Sequence, residues 1–375
     1  MLIGVDASRA LTAERTGTEH YSLELISALL ALGSAHRFRL YTPQAPPATL
    51  AAAWSRAEWR IIPFPRLWTH VRLSLEMLLD PPDVLFVPAH VLPLVHRGRG
   101  VVTIHDLGYL HFPQAHPRQQ RLYLDWSTRW SARVARQVVV DSLATQQDLV
   151  THYGTDPRKV RVAYPAGRDL CALVDAAADA ERLARFGLHS GYILAVGTIQ
   201  PRKNLLVLLE AFAALLRADR LPAEARLVLA GRAGWLSDET LARAQADDLR
   251  EHVTITGYVT DAELAALYRG AMALAFPSLY EGFGLPVLEA MQCGVPVICS
   301  TSSSLPEIAG SGADAAALLV APDDLPGWQT ALDRVYHEPA LRESLRARGR
   351  ERAMAFSWER CARAVLAAIE EAAPK

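Results

Sequence analysis

Short apolar runs alternate with amphipathic stretches along the whole chain, and this alternation limits the fold more than any other feature. The first half contains LIGVDA (2–7), DVLFVPA (83–89) and RQVVVDS (136–142), and the second half repeats the pattern with YILAVGT (192–198) and VPVICS (295–300). Continuous apolar strands separated by helices are typical of parallel sheets that are covered on both faces. The sequence therefore predicts an α/β fold with two doubly wound, Rossmann-like parallel sheets.

The chain has 375 residues, which is more than a single hydrophobic core usually organises and indicates two domains. The break is predicted near YPAGRDL (164–170), ahead of the new first strand at Tyr192. Open α/β sheets bind ligands outside the carboxyl ends of their strands, so a two-domain chain is expected to hold its site in the cleft that the domains face. The chemistry is therefore sought in loops that follow strands.

Composition excludes several classes of protein. The net charge is −1, 51% of the residues are hydrophobic and 21% are charged, which is ordinary for a globular protein and gives no reason to expect disorder or a nucleic-acid partner. The N-terminus lacks the pattern of a signal peptide and no apolar run reaches the ~20 residues that span a bilayer, so we expect a cytoplasmic protein. The four cysteines form no CxxC pair, so neither a zinc site nor a disulfide framework is indicated.

The stretch YEGFGLPVLEAM (280–291) places Glu281 and Glu289 on either side of a Gly-Phe-Gly turn. It follows the strand MALAFPS, and Pro286 is typical of the first turn of a helix. Amides around Gly284 and Leu285 would then point out of a helix N-terminus, where phosphate binds well, while the carboxylates are acceptors suited to sugar hydroxyls. A plain helix entry with two solvated glutamates is the alternative.

A second stretch, VGTIQPRKNLL (196–206), places two adjacent cations, Arg202 and Lys203, between a strand and a helix. Cations oppose the dipole at a helix N-terminus unless an anion is bound there. Lys203 is one of three lysines in a chain with 36 arginines, which suggests that a compact ammonium is needed at this position. Two solvated basic residues are the alternative.

Two further candidates lie in the first half. His105 ends the strand in VVTIHD, where a single histidine is by itself more often structural than functional, and Gly17 precedes a predicted helix, where it could let the backbone approach a ligand. GxxxxGK[ST] and D-x-D motifs are absent, and the GFGLPV turn lacks the third glycine of a dinucleotide fingerprint. P-loop phosphoryl transfer is therefore not supported.

Five segments in order resemble the retaining glycosyltransferases of family 4, which have the GT-B fold, and the resemblance covers nearly the whole chain: VTIHDL, GTIQPRKNL, LAGRAGW, TGYV and EGFGLPVLE. The overall similarity is to bacterial polysaccharide mannosyltransferases. It implies an acceptor-side domain over residues 1–168, a donor-binding domain over 185–356, and a terminal helix over 357–375 that joins the first domain.

The resemblance also implies roles for individual residues. Arg202 and Lys203 match the pair that clamps the donor diphosphate, although Thr198 stands where some relatives carry an arginine. Glu289 matches the carboxylate on the ribose hydroxyls, and His105 matches a histidine beside the donor sugar. The carboxylate of Glu281 and the amides of Phe283, Gly284 and Leu285 match the groups that hold the transferred sugar and the distal phosphate. Gly17 matches the glycine of the first-domain loop near the diphosphate.

The implied activity is the transfer of a hexose from a nucleoside-diphosphate sugar, GDP-mannose or a UDP-sugar, to a glycan or lipid-linked acceptor in polysaccharide or glycoconjugate biosynthesis. The family works with retention of configuration and without a metal ion, and no other cofactor is expected. A UDP-sugar 2-epimerase of the same fold, a glycoside hydrolase and a non-enzymatic sugar-nucleotide scaffold remain as alternatives.

The segment 54–79 mixes aromatic and basic side chains: Trp54, Trp59, Phe64 and Trp68 alternate with Arg56, Arg60, Arg66 and Arg72. Such a mixture is compatible with peripheral contact to an anionic membrane, with the rings at the headgroup level and the arginines on phosphates. The alternative is that the aromatic side chains pack in the core and the arginines are merely solvated.

Overall fold

The computed structural model describes residues 1–12, 17–89, 91–96, 99–115, 117–170, 176–312 and 315–374. The chain forms two compact units. Unit 1 comprises Met1–Leu110, Arg118–Ala166 and Phe356–Lys375, and unit 2 comprises His111–Pro117 and Gly167–Ala355.

Among its described residues, unit 1 contains a seven-stranded parallel sheet in the order β3-β2-β1-β4-β5-β6-β7. The strands are β1 (Leu2–Asp6), β2 (Arg37–Thr42), β3 (Glu58–Ile61), β4 (Val84–Val87), β5 (Gly100–Ile104), β6 (Gln137–Val140) and β7 (Val160–Val162). Its helices are α1 (Gly17–Ala31), α2 (Ala48–Ala53), α3 (Ser74–Leu79), α5 (Arg118–Val134), α6 (Leu143–Tyr153) and the terminal helix α15 (Trp358–Ala372). The short helix α4 (Gly108–His111) ends where the chain first passes into unit 2.

The sheet of unit 1 is buried on both faces, as continuous apolar strands require. Successive residues of β4 illustrate this: Val84 and Phe86 pack in one core cluster with Leu25 of α1 and Val365 of α15. The residues between them, Leu85 and Val87, pack in a second cluster on the other face with Leu149 of α6. Alternate side chains of a strand point to opposite faces, so a strand covered by helices on both sides buries successive residues.

Unit 2 contains, in its described residues, a six-stranded parallel sheet in the order β10-β9-β8-β11-β12-β13. The strands are β8 (Tyr192–Val196), β9 (Leu227–Ala230), β10 (Val253–Gly257), β11 (Ala271–Phe276), β12 (Val297–Ser300) and β13 (Leu318–Val320). Its helices are α7 (Ala176–Ala184), α8 (Leu205–Arg217), α9 (Asp238–Ala244), α10 (Asp261–Gly270), α11 (Leu285–Gln292), α12 (Leu305–Ala309), α13 (Leu325–His337) and α14 (Pro339–Ala353).

The strand order of unit 2 reverses at β8, which pairs with β9 on one side and β11 on the other. This is the doubly wound arrangement in which ligands bind beyond the carboxyl ends of the strands at the point of reversal. The predicted α/β fold with two doubly wound parallel sheets is confirmed.

None of the helices in the described part of the chain combines the length and the apolar character that crossing a bilayer requires.

Candidate functional site

The loops that follow β8 and β11 bring three charged side chains of unit 2 together. Arg202 and Lys203 lie in the short turn Pro201–Lys203 after β8, and Glu281 lies in the loop between β11 and α11. Lys203 Nζ is 2.6 Å from Glu281 Oε1, and Arg202 Nη1 is 2.8 Å from Oε2. The two loops meet because β8 and β11 are parallel neighbours whose carboxyl ends share one edge of the sheet.

Backbone contacts hold the same loops in place. The amide of Leu279 donates to the carbonyl oxygen of Arg202, and Arg202 Nη1 also donates to the carbonyl oxygen of Tyr280 at 2.6 Å. Arg202 is thus bonded through both its backbone and its side chain to the loop that carries Glu281, which fixes the distance between the cations and the carboxylate.

Lys203 is a buried ammonium. It is 8% exposed, and its Nζ lies 4.6 Å from the centre of the Phe276 ring at the end of β11. A Cβ atom at Gly197 would lie 3.0 Å from Lys203 Cε, at a backbone φ of +131° that favours glycine. The glycine after β8 therefore makes room for the lysine stem.

The carboxylate of Glu281 is held in its ionised form. Burial by itself raises the pKa of Glu281, but Arg202 and Lys203 outweigh burial and bring the pKa down to about 2. The three side chains carry two positive charges and one negative charge, so the cluster has a net formal charge of +1. An anionic ligand is the natural complement of this cluster.

The turn that follows Glu281 is braced by two serines and ends at the N-terminus of α11. The amide of Glu281 donates to Ser303 Oγ at 2.8 Å, and Ser304 Oγ donates to the carbonyl oxygens of Glu281 and Phe283. Gly284 precedes α11 with φ +117°, and a Cβ there would lie 2.6 Å from Leu305 Cδ2. Another residue here would be strained by the positive φ and by this contact, so glycine favours the turn that leads into the N-terminus of α11.

Glu289 lies one turn inside α11 and is 1% exposed. Its Oε1 accepts a hydrogen bond from Arg168 Nε at 2.6 Å, and its Oε2 accepts from Arg168 Nη2 at 3.0 Å and from the Tyr268 hydroxyl at 3.1 Å. Arg168 also donates through Nη1 to Asp261 Oδ1 at 2.6 Å. The second glutamate of the EGFGLPVLE stretch is therefore part of its own charged network.

His105 follows β5 in unit 1, is 8% exposed and is bonded at both ring nitrogens. Nδ1 is 2.6 Å from Asp141 Oδ2, and Nε2 is 3.0 Å from the carbonyl oxygen of Pro88, which can only accept. Burial lowers the pKa of His105, but the Asp141 carboxylate outweighs burial and raises the pKa above its ordinary value. The ring of Tyr21 meets the imidazole edge-on at 4.6 Å. His105 is thus held in one orientation by acceptors at both ring nitrogens.

Gly17 is the first residue of α1 and is exposed, and a Cβ added there would meet no other atom of the described structure within 4 Å.

The predicted residues therefore fall into separate groups. Arg202, Lys203 and Glu281 are brought together, Glu289 lies in a different charged network of the same unit, and His105 and Gly17 belong to unit 1. Sequence reasoning missed Arg168 and Asp141. Asp141 could have been found, because β5 and β6 are adjacent strands and Asp141 directly follows β6 as His105 directly follows β5. Arg168 had no comparable signal.

Comparisons with known proteins agree with one another. The family model described as "Glycosyl transferases group 1" matches residues 185–352, and the one described as "Glycosyltransferase Family 4" matches residues 15–166. The O-antigen chain mannosyltransferase B of Escherichia coli is 31% identical over 92% of this chain and 93% of its own length. The D-inositol 3-phosphate glycosyltransferase of Kineococcus radiotolerans is 35% identical over 62% of this chain and 56% of its own length.

Solved structures show the same architecture. HepE of Anabaena, determined in complex with UDP and glucose, superimposes with a TM-score of 0.73 at 15% identity, over 98% of this chain and 99% of its own. At that identity the likeness concerns the fold alone, and it is the two-sheet GT-B arrangement that the sequence predicts.

Proposed function

The chain belongs to the glycosyl transferases of group 1, and we propose that it is a retaining, metal-independent hexosyltransferase that transfers mannose from GDP-mannose to a glycan or lipid-linked acceptor. The observation that carries this proposal is the cluster of Arg202, Lys203 and Glu281 beside the N-terminus of α11. The choice of mannose is supported by the relative from Escherichia coli, which is named a mannosyltransferase and matches nearly the full length of this chain.

The proposed mechanism follows from charge. When the bond between the anomeric carbon and the phosphate oxygen breaks, negative charge grows on the nucleoside diphosphate and positive character grows on the sugar. Stabilising charge that develops in the transition state is usually the largest catalytic contribution of an enzyme. In our proposal Arg202, Lys203 and the amides of Phe283, Gly284 and Leu285 stabilise the leaving diphosphate. They supply the positive charge that a divalent cation provides in other transferases.

The remaining predicted residues position the donor. We propose that the Glu281 carboxylate, ionised because its pKa is about 2, accepts hydrogen bonds from hydroxyls of the sugar, and that Glu289 accepts from the ribose hydroxyls. His105 is proposed to contact the donor sugar, and Gly17 to lie near the diphosphate. The acceptor hydroxyl then attacks the anomeric carbon on the face that the phosphate leaves, and its proton passes to the departing phosphate oxygen.

The ion pairs count against a glycoside hydrolase. Such an enzyme needs one carboxyl group that stays protonated near neutral pH to act as the acid. The pKa of Glu281 is about 2, and the carboxylate of Glu289 is paired with the guanidinium of Arg168. Neither glutamate of the stretch has the apolar surroundings that a general acid requires.

We further propose that unit 1 contacts anionic membrane through the segment 61–79. Several large apolar side chains of this segment are exposed, including Phe64, Leu67 and Leu79, and Arg66 is exposed among them. Other members of the predicted pattern have partners within the protein: Trp54 and Trp68 are buried, and Arg60 and Arg72 pair with the buried Glu76. The proposed contact is therefore narrower than the sequence suggested and would rest on apolar insertion with Arg66 as its cation.

A panel of nucleotide sugars tests the proposed activity. GDP-mannose should give the largest thermal stabilisation and a slow hydrolysis, and with an acceptor glycan the product should keep the anomeric configuration of the donor, as read by NMR. Isomerised donor without any acceptor would indicate the epimerase, and cleavage of polysaccharide without nucleotide sugar would indicate the hydrolase. Nucleotide binding with no turnover on any acceptor would indicate a scaffold.

Vesicle co-sedimentation tests the membrane contact separately. Binding to anionic vesicles should fall in Leu67→Ser and Arg66→Ser variants and stay unchanged in Arg56→Ser, an exposed arginine outside the segment. Equal binding by all three variants, or none by the native chain, would contradict it.

A further inference from the structure

The carboxylate of Glu289 cannot be reached by a ligand as it stands. It is 1% exposed, and Arg168 Nε and Nη2 engage both of its oxygens while the Tyr268 hydroxyl binds Oε2. These three donors take three of the roughly four acceptor sites of the carboxylate, so two adjacent ribose hydroxyls cannot both bind while Arg168 stays in place. Arg168 and a ribose are therefore competitors for one carboxylate.

Arg168 has a second carboxylate within reach. Its Nη1 donates to Asp261 Oδ1 at 2.6 Å, and the Asp261 side chain is 51% exposed, in contrast to Glu289. The guanidinium thus bridges a buried carboxylate and an exposed one. A guanidinium that leaves Glu289 keeps an ionic partner, provided that it rotates towards Asp261.

Gly167 lets the chain that carries Arg168 pass close to α11. A Cβ atom at this position would lie 3.2 Å from Glu289 Cγ. The arginine therefore starts from backbone that lies directly against the helix that carries Glu289.

We propose that Arg168 is a latch on the ribose subsite, which covers Glu289 in the donor-free protein and moves onto Asp261 when a nucleotide binds. This inference rests on the proposed role of Glu289 as the ribose ligand. A guanidinium brings a full positive charge to the carboxylate in addition to two parallel hydrogen bonds, so neutral hydroxyls alone displace it poorly. Asp261 makes the exchange possible because it keeps the displaced charge paired. Arg168 acts through Glu289 and is a positioning residue.

The first test is a double-mutant cycle read by calorimetric titration of GDP and UDP. Asp261→Asn removes the carboxylate onto which Arg168 moves, so nucleotide affinity should fall by up to about fivefold, the range expected for an exposed ion pair. The same change in an Arg168→Met background should have no effect, because Asp261 acts only through Arg168. Inorganic pyrophosphate, which lacks ribose, should bind equally to all four proteins.

The second test uses Arg168→Lys to separate a latch from a direct donor contact. A lysine keeps the counter-charge of the buried Glu289 but cannot make the two-pronged contact to both of its oxygens. GDP and UDP should therefore bind more tightly to Arg168→Lys than to the native chain. Inorganic pyrophosphate should bind equally to both proteins.

The outcomes are distinct. An Arg168→Lys variant that binds GDP and UDP more weakly than the native chain, or an Asp261→Asn effect that persists without Arg168, would overturn the latch. A Glu289→Gln variant with native nucleotide affinity would instead overturn the ribose assignment itself. Arg185→Met and Arg185→Lys are the matched controls, since Arg185 is 66% exposed where it pairs with Glu263 in the same unit, and its replacement should change nothing.

Discussion

Replacing Glu281 by glutamine removes the one negative charge in the cluster with Arg202 and Lys203. The resulting loss of folding stability follows from the pKa of Glu281. Arg202 and Lys203 bring the pKa of Glu281 from an ordinary value of 4.5 to about 2, against the opposing effect of burial. At about 1.4 kcal/mol per pH unit, this difference stabilises the folded protein by about 3 kcal/mol. The side chain is 10% exposed, so solvent screens the ion pairs only weakly.

The sign of the pH dependence is fixed by the direction of the pKa change. The folded chain binds the Glu281 proton less readily than the unfolded chain, so the stabilisation is complete above about pH 5 and is lost as the pH falls towards 2. Glu281→Gln should therefore be about 3 kcal/mol less stable than the native chain at neutral pH. The difference in the free energy of unfolding between the two proteins should disappear as the pH falls towards 2.

The assay must report unit 2 by itself, because a chain of two units need not unfold in one transition. Urea titrations at a series of pH values, read by hydrogen exchange in peptides that cover β11 and α11, meet this need. Glu251→Gln is the control, since Glu251 is 83% exposed and its replacement should not change the free energy of unfolding. A Glu281→Gln variant that matches the native chain at neutral pH, or a gap that is constant with pH, would refute the reasoning.

Three further predictions follow from the same geometry. Gly284→Ala should destabilise unit 2 by about 1–3 kcal/mol, because φ is +117° and the new Cβ would lie 2.6 Å from Leu305 Cδ2; Gly257→Ala, at φ +71° with no close neighbour, should cost less, and equal urea midpoints for the two would contradict this. Asp141→Asn should lower the pKa of His105, because the largest effect that opposes burial is removed, and an unchanged NMR titration of the ring would show that Asp141 does not raise this pKa. Transferase activity should survive EDTA, and a loss that Mg²⁺ or Mn²⁺ restores would exclude the proposed metal-independent mechanism.

The fold could be read largely from the sequence, because each predicted apolar run became a strand of one of two parallel sheets. Two strands, β7 and β3, do not come from a predicted apolar run. β7 (Val160–Val162) has three residues and carries Arg161, and β3 (Glu58–Ile61) is mostly exposed. Both lie at the edges of the sheet of unit 1, where a strand is not covered on both faces and shows no continuous apolar run.

The candidate site could be predicted only where its residues follow strands. Arg202, Lys203 and Glu281 come from the ends of two neighbouring strands, so their meeting follows from topology. The direct pairing of both cations with Glu281 could not be foreseen, since it depends on side-chain directions. Arg168 lies in the segment where the sequence predicts only the break between domains, 121 positions from its partner Glu289, and no local pattern links the two residues.

The central claim is that Arg202 and Lys203 hold the diphosphate of the donor, and calorimetric titration of GDP in the presence of EDTA tests it most directly. The native chain should bind GDP far more tightly than GMP, and Lys203→Met should lose about 100-fold of the GDP affinity, on the order of 3 kcal/mol for a buried charged contact, with little change for GMP. Lys159→Met, which alters a lysine of unit 1, should bind as the native chain does. Equal GDP affinity in the native chain and in Lys203→Met would contradict the account.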